Sequence, residues 1–195
     1  MSISTQNPIG NKIDFALIIG VNNANPNGDP LNGNRPRTDF AGNGEITDVC
    51  LKRKIRDRLQ ESGEDIFVQS DEKKTDGMTS LKNRAYDEEV GLGKNAFEAN
   101  KKENIEAKRD ETAQKACDKW FDVRAFGQVF AFKADTKGAD GVSIPIRGPV
   151  TIQSAFSLQP VDITSTQITK SVSGEGDGKK KGSDTLGMKH RVDEG

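Results

Sequence analysis

The sequence predicts an α+β fold in which helices cover one face of a sheet. A strand-like run at residues 12–21 is followed by helical patterns at 47–61 and 105–121 and by a further strand pattern at 148–161. This order fits a ferredoxin-like or RRM-like layer. The sequence predicts at least one strand fewer than such a layer contains, so we expect the rest of the sheet to lie beyond residue 195.

The composition allows one modest hydrophobic core. Of the 195 residues, 30% are charged and 32% are hydrophobic, and the formal net charge is −1. This balance gives no argument for a nucleic-acid partner, so any such argument must come from local clusters. The N-terminus lacks a basic and apolar leader, and no stretch approaches the roughly 18 apolar residues of a membrane span. We therefore expect a soluble, cytoplasmic protein without a membrane partner.

The residues that bind metals or perform catalysis are sparse. Two cysteines and one histidine fall short of the four ligands of a structural zinc site, so we expect no metal and no cofactor. Cys50 and Cys117 are expected to be reduced thiols. His190 lies between Lys189 and Arg191, which favours a solvated or anion-contacting side chain over a general base. We therefore expect a protein that is not an enzyme.

The first strand pattern leads into a loop rich in turn-forming residues. In residues 12–21, which we expect to be buried on at least one face, apolar side chains alternate at Ile13, Phe15, Leu17 and Ile19. Residues 22–39 read NNANPNGDPLNGNRPRTD and contain only two cations, Arg35 and Arg37. So many turn-formers are unusual in a plain connection, so we expect this loop to be shaped for binding.

The helix predicted at 47–61 carries a basic cluster. Thr47 is a plausible N-cap and Gly63 a plausible stop. Lys52 and Arg56 lie one turn apart, with Arg53 beside them, and such a row suits phosphates spaced along a single strand. The alternative is a solvated basic face, which is the more common meaning of such a pattern.

The middle of the chain changes character twice. Residues 64–104 are polar and without a sustained period, so we interpret them as an insertion rather than as core. A helix is predicted at 105–121, after which aromatic residues at 126, 130 and 132 around Gly127 are expected to break the helix and pack onto the core.

The C-terminal third is predicted to consist of strands. Residues 148–161 alternate cleanly between apolar and polar side chains. Residues 162–193 contain two strand-forming flanks around a tip, 171–182, that is rich in glycine and lysine and unable to bury itself. We expect this arm to be a β-hairpin.

Five blocks of sequence together resemble one family: NANPNGDPLNGNRPRTD, ITDVCLKRKIRDRLQ, DKWFDVRAFGQVFA, RGPVTIQSAFSLQPV and MKHRVDEG. The chain is similar to the backbone subunit of type I CRISPR interference complexes, the Cascade assemblies, and most closely to the type I-C form. The resemblance implies an RRM-like palm, inserted helical fingers and a β-hairpin thumb. Mapped onto this chain, it makes 1–63 and 122–161 palm, 64–121 fingers with a returning helix, and 162–193 thumb.

The resemblance also implies a function. Several copies of the subunit would line up along a CRISPR guide RNA with other Cascade subunits, and guide bases would pair with target DNA in antiviral defence. The residues expected to contact RNA are Asn25, Arg35, Arg37, Thr47, Lys52, Arg53, Arg56, Met188, Lys189 and His190. In the thumb, Met188 would wedge between bases, with Lys189 and His190 beside the phosphates.

Two other functions fit such a fold. An RRM-like ribonuclease that processes or cuts RNA would need a reactive set of side chains, whereas His190 and Tyr86 lie in unrelated regions of the sequence. A sequence-specific RRM would display aromatic RNP motifs on its sheet, and no such motif is visible.

Overall fold

The computed structural model of the protein describes residues 9–100, 103–169 and 186–195. The chain divides into two compact units. We call residues Ile46–Phe156 the aromatic unit, and the described residues within 1–45 and 157–195 the hairpin unit.

Helices and short strands alternate along the described chain, which confirms the α+β class. The helices are α1 (Asp48–Glu61), α2 (Leu81–Tyr86), α3 (Lys94–Phe97), α4 (Ile105–Lys119) and α5 (Phe121–Phe126). The strands are β1 (Asn22–Ala24), β2 (Gly28–Asp29), β3 (Arg35–Pro36), β4 (Asn43–Ile46), β5 (Glu98–Ala99), β6 (Gly127–Phe130), β7 (Asp140–Gly141), β8 (Ile144–Arg147), β9 (Ala155–Pro160), β10 (Ile163–Thr169) and β11 (Leu186–Glu194).

A three-stranded antiparallel sheet in the order β1-β11-β10 organises the hairpin unit. The two flanks of the predicted arm form β10 and β11, which pair from Ile163 opposite Val192 to Thr169 opposite Leu186. The predicted tip at 171–182 lies outside the described residues. Strands β2 and β3 form a short antiparallel hairpin, and β4 pairs with β9.

Aromatic side chains form the core of the aromatic unit. The Phe67 ring centroid lies 4.6 Å from that of Trp120 and 5.0 Å from that of Phe130, and the Phe97 centroid lies 5.2 Å from that of Phe130. All four side chains are almost completely buried. The other buried core residues come from α2, α4 and α5, from β5 and β8, and from the residue after β7: Ala85, Ala116, Val123, Ala99, Ile144 and Val142.

Two strand predictions need correction. Residues 12–20 form no strand, and their apolar side chains are exposed, with Ile13 at 61% and Phe15 at 67%. Alternation alone does not make a strand, because its backbone must hydrogen-bond to a neighbour and no described strand pairs with this segment. The pattern at 148–161 forms a strand only over Ala155–Pro160, where Phe156 and Leu158 are exposed.

The expectation that residues 64–104 lie outside the core is also wrong. They contribute Phe67, Ala85 and Phe97, all fully buried. These residues are too far apart in sequence to produce a periodic signal, although together they fill one core. The packing of the aromatic segment is confirmed by Phe130, which is buried. The predicted break needs correction, because α4 ends at Lys119 and the chain is helical again in α5 up to Phe126, with the change of structure at Gly127.

Candidate nucleic-acid interface

The loop at 22–39 is shaped by turns that its own residues stabilise. Asp29 caps a short 3-10 helix by accepting a hydrogen bond from the Leu31 N–H (3.2 Å). Gly33 and Asn34 then adopt positive φ angles of 60° and 59°, which glycine and asparagine tolerate better than other residues. The turn-forming composition therefore closes the β2–β3 hairpin.

The asparagine and arginine side chains of this loop have different environments. Asn25 Nδ2 donates to the Asn34 carbonyl oxygen (2.7 Å), so Asn25 shapes the loop from inside. Arg37 forms an ion pair with Asp29, with Nη2 and Oδ1 3.4 Å apart. Arg35 forms no ion pair with any carboxylate in the described part of the chain. Its charge is therefore available to a ligand.

The β10–β11 register decides which arm residues share a face. Ser165 lies opposite His190, and Gln167 lies opposite Met188. Residues directly opposite each other point to the same side of a sheet, whereas successive residues point to opposite sides. Lys189 therefore faces away from His190, so the two predicted phosphate contacts lie on opposite faces of the hairpin.

Ser165 connects the loop to the hairpin. Arg35 Nη1 donates to Ser165 Oγ (3.0 Å), and the same oxygen lies 2.8 Å from His190 Nδ1. A Cβ atom built on Gly33 would lie 3.9 Å from His190 Nε2, so the β2–β3 turn also approaches this histidine. Arg35 and His190 are both residues predicted from the sequence, whereas Ser165 was not predicted, because its position opposite His190 follows only from the strand register.

The start of α1 agrees with the sequence prediction. Thr47 is the N-cap, and its Oγ1 accepts a hydrogen bond from the Cys50 N–H (3.3 Å). Lys52 Nζ lies 3.3 Å from Asp48 Oδ2, one turn earlier on the helix. This half-exposed pair is the kind that exchanges easily with solvent or with another anion.

Arg53 is more firmly held than its position in a basic run suggests. Its Nε donates to Asp57 Oδ1 (2.8 Å), and its Nη1 donates to the carbonyl oxygen of Val68 (2.7 Å). Its Nη2 is buried and has no hydrogen-bond partner among the described residues. Arg53 therefore fastens the segment after α1 to the helix.

Arg56 belongs to a buried ion pair. Its Nε donates to Asp122 Oδ2 (2.9 Å), and its guanidinium carbon lies 5.2 Å from the ring centroid of Phe126. The Arg56 side chain is only 14% exposed and that of Asp122 only 1%. Asp122 also accepts hydrogen bonds from the N–H groups of Phe67 (2.7 Å) and Val68 (3.1 Å). This arrangement makes Arg56 a structural residue of the aromatic unit.

Two other buried charged groups were not recognised from the sequence. Arg84 forms a bidentate pair with Asp76, and hydrogen bonding from Arg84 lowers the pKa of the Asp76 carboxyl. Burial alone would raise the pKa of Glu98, but hydrogen bonds from Thr136 and from the Asp135 N–H (2.6 Å) bring it below its usual value. Both carboxylates thus hold loops of the aromatic unit in place.

The described residues contain no cluster that could hold a metal ion. Within residues 9–100, 103–169 and 186–195, no group of three His, Cys, Asp or Glu side chains is placed to hold a metal ion. Over the same residues, no helix has the length and apolar character to cross a membrane. Both cysteines are free thiols, as the sequence predicts. On the hairpin unit, the candidate RNA contacts combine cationic, hydroxyl and exposed apolar side chains.

Comparison with known proteins identifies the family. Residues 11–195 match the family described as CRISPR-associated protein Cas7. The CRISPR-associated protein Cas7 of Haloferax volcanii is 32% identical over 183 residues, which cover 88% of this chain and 51% of that protein. The chain thus spans about half the length of this curated relative, and it belongs to the Cas7 family of CRISPR-associated proteins.

Proposed function

We propose that the chain is the RNA-holding part of a non-catalytic backbone subunit in a Cascade-type antiviral complex, most similar to the type I-C form. Copies of the subunit assemble along a CRISPR guide RNA together with other Cascade subunits. They hold its sugar-phosphate backbone and leave the bases free to pair with target DNA. Membership of the Cas7 family supports the CRISPR part of this proposal.

The palm, fingers and thumb assignment belongs to the same proposal. We assign 1–63 and 122–161 to an RRM-like palm, 64–121 to the fingers and 162–193 to the thumb. The pairing of β10 with β11 supports a hairpin in the thumb range. A neighbouring copy or an RNA strand would cover the outer edge of β10 and the exposed apolar residues of β11, Leu186 and Met188.

One observation carries the RNA-binding proposal: a single face of the hairpin combines cationic and apolar groups. Arg35, Ser165 and His190 lie at one place on this face, and Met188 follows one cross-strand pair further along it. Met188 is 53% exposed and Leu186 is 62% exposed. Proteins that hold single strands combine these elements, with cations on phosphates and large side chains against bases.

The other candidate residues take graded roles. Lys52 and Thr47, at the start of α1, remain proposed RNA contacts because their local contacts leave them partly exposed. Arg37 and Lys189 provide positive charge on the hairpin unit, and Asn25 shapes the loop. Arg53 and Arg56 contribute to RNA binding mainly by holding α1 in place, because their guanidinium groups already have internal partners: Asp57, Val68 and Asp122.

Binding to single-stranded RNA tests the proposal. Labelled RNAs of equal length and scrambled sequence should bind with similar affinity, and longer RNAs should take up more copies. Affinity should fall by about 0.7 log units per log unit of salt for each phosphate neutralised. Strong preference among the scrambled RNAs, or affinity that does not respond to salt, would contradict sequence-independent backbone binding.

A matched pair of variants distinguishes the loss of a specific RNA contact from the loss of one positive charge. Arg35→Gln and Arg58→Gln each remove one positive charge, but the Arg58 side chain is 81% exposed at the end of α1 and, within the described residues, forms an ion pair with Glu61 alone. Arg35→Gln should weaken RNA binding about tenfold and reduce the salt dependence by one phosphate, whereas Arg58→Gln should change little. Equal losses would mean that only net charge matters.

The Ser165–His190 contact is also the one observation that favours an RNA-cutting function. A hydroxyl 2.8 Å from an imidazole nitrogen resembles a nucleophile beside a base. However, no described carboxylate hydrogen-bonds to His190, and Arg35 already donates to Ser165 Oγ. Incubation of end-labelled RNA with the wild type and with His190→Gln decides the matter: cleavage that only the wild type produces would replace the scaffold proposal.

A further inference from the structure

A chain of hydrogen bonds runs through three elements of the hairpin unit. It begins at Arg35 on β3, passes through Ser165 on β10 and ends at His190 on β11. The Ser165 hydroxyl accepts from Arg35 at 3.0 Å, and arginine has no acceptor atom, so the direction of this bond is certain. The hydroxyl hydrogen of Ser165 therefore remains available for a second partner.

The second partner is His190 Nδ1, 2.8 Å away. A neutral imidazole has one nitrogen that accepts and one that carries a proton. A Ser165 hydroxyl that donates to Nδ1 stabilises the neutral His190 ring in the tautomer with its proton on Nε2. The ring then presents Nε2–H as a donor beside the Gly33 turn, where a Cβ built on Gly33 would lie 3.9 Å from Nε2.

The charges around these three hydrogen-bonded residues favour an anionic ligand. Neither Arg35 nor His190 forms an ion pair with a described carboxylate. Asp29, which lies opposite Arg35 in the β2–β3 pairing, forms an ion pair with Arg37, and Asp193, on the same strand as His190, pairs with Arg191. Asp193 and Arg191 also lie on the opposite side of the sheet from His190, because their positions in β11 are odd-numbered.

We propose that Ser165 is a positioning residue that turns Arg35 and His190 into a binding site for one phosphodiester group. The remaining N–H groups of Arg35 donate to one phosphate oxygen, and His190 Nε2–H donates to the other. This inference rests on the proposed RNA-binding function and identifies the atoms that bind one phosphate. Met188, the next residue on the same face, then lies beside the adjoining base.

The histidine tautomer tests the first half of the proposal without RNA. His190 is the only histidine, so its two ring nitrogens give unambiguous signals in a long-range ¹H–¹⁵N spectrum of the full chain. At alkaline pH, where imidazole is neutral, the wild type should show a protonated Nε2 and an unprotonated Nδ1. Ser165→Ala should produce a mixture of tautomers, and Ser165→Thr should restore the single form. A protonated Nδ1, or a mixture in the wild type, would overturn the proposal.

Titration with single-stranded RNA tests the second half. RNA should shift the Nε2 signal of the wild type, and Ser165→Ala should weaken binding about fivefold, the effect of one lost hydrogen bond. Thr166→Ala is the matched control, because Thr166 is the exposed neighbour on the opposite face of β10. It should bind RNA like the wild type.

The outcomes separate this inference from the proposed function. If the wild type binds RNA while Nε2 stays unperturbed and Ser165→Ala binds normally, the phosphate assignment is wrong and the RNA-binding proposal stands. If the wild type does not bind RNA, both are overturned. Equal weakening by Ser165→Ala and Thr166→Ala would show that disturbance of β10, rather than the position of Arg35 and His190, controls binding.

Discussion

The cations of the hairpin unit and those of helix α1 look alike in the sequence and differ in the structure. Arg56 on α1 donates to a carboxylate that is 99% buried, whereas Arg35 on β3 donates to an exposed serine hydroxyl. The dense basic run KRKIR is therefore partly structural, and the isolated Arg35 has the more available charge. A count of positive charges does not locate a binding surface, because carboxylates distant in sequence decide which cations are already paired.

The largest expected effect comes from the carboxylate that engages Arg56. Asp122→Ala leaves the Arg56 guanidinium without its buried partner and two N–H groups without an acceptor. We expect a loss of about 3–5 kcal/mol in the free energy of unfolding. Chemical denaturation followed by the fluorescence of Trp120, the only tryptophan and a core residue, measures it.

Glu111→Ala provides the control for this experiment. Glu111 accepts from Lys115 on the exposed side of α4, so its removal should not move the denaturation midpoint. A small effect of Asp122→Ala, similar to that of the control, would mean that the Arg56 pair does not hold the aromatic unit together.

The next prediction compares Arg56 with Arg35: one variant should mainly affect stability and the other mainly RNA binding. Arg56→Gln should lower the free energy of unfolding by about 2 kcal/mol, because Asp122 keeps its two backbone donors but loses its charged partner. Arg35→Gln should change the free energy of unfolding by less than about 0.5 kcal/mol, since the one side-chain contact of Arg35 among the described residues is an exposed hydrogen bond to Ser165. Paired denaturation and RNA-binding measurements should rank the variants in opposite orders. The same order in both assays would remove the distinction between the two regions.

A smaller effect concerns acid stability of the aromatic unit. Hydrogen bonding from Arg84 lowers the pKa of Asp76 in the folded chain. A lowered pKa contributes stability above the ordinary aspartate value of about 3.9, and this contribution is lost as the pH falls through the folded value. Asp76→Asn should therefore lower stability at neutral pH and flatten its decline in acid. Parallel acid declines for the variant and the wild type, measured by Trp120 fluorescence, would contradict the assignment.

The smallest expected effect is a loss of stability at alkaline pH, which the ionisation of Tyr86 reports. Burial, with the nearby carboxylates of Glu98 and Asp135, raises the pKa of Tyr86 to about 12. Since the unfolded chain releases this proton near pH 10, Tyr86 contributes stability that declines as the pH rises from about 10 to 12. Tyr86 is the only tyrosine, so tyrosinate absorbance after a rapid pH jump reports it directly, with Tyr86→Phe as the blank. Ionisation near pH 10 in the folded chain would show that this side chain is solvated.

Local signals were sufficient for several elements. Thr47 caps α1, Gly63 has a positive φ of 91° just after that helix, and the two flanks of the arm pair as β10 and β11. Caps, stops and strand-forming runs depend on residues close together in the chain, so a single sequence contains them. The blocks that resemble the Cas7 family are likewise continuous stretches.

Other features were decided only by contacts between distant residues. Arg35 meets Ser165 across 130 positions, and Arg56 meets Asp122 across 66. The alternating run at 12–21 has the composition of a strand, but a strand also needs a hydrogen-bonded neighbour, which the sequence pattern does not specify. The sequence by itself thus determined the α+β class, the capped basic helix and the family. Tertiary structure decided which cations are buried in ion pairs and which remain free, because charge compensation depends on distance in space rather than along the chain.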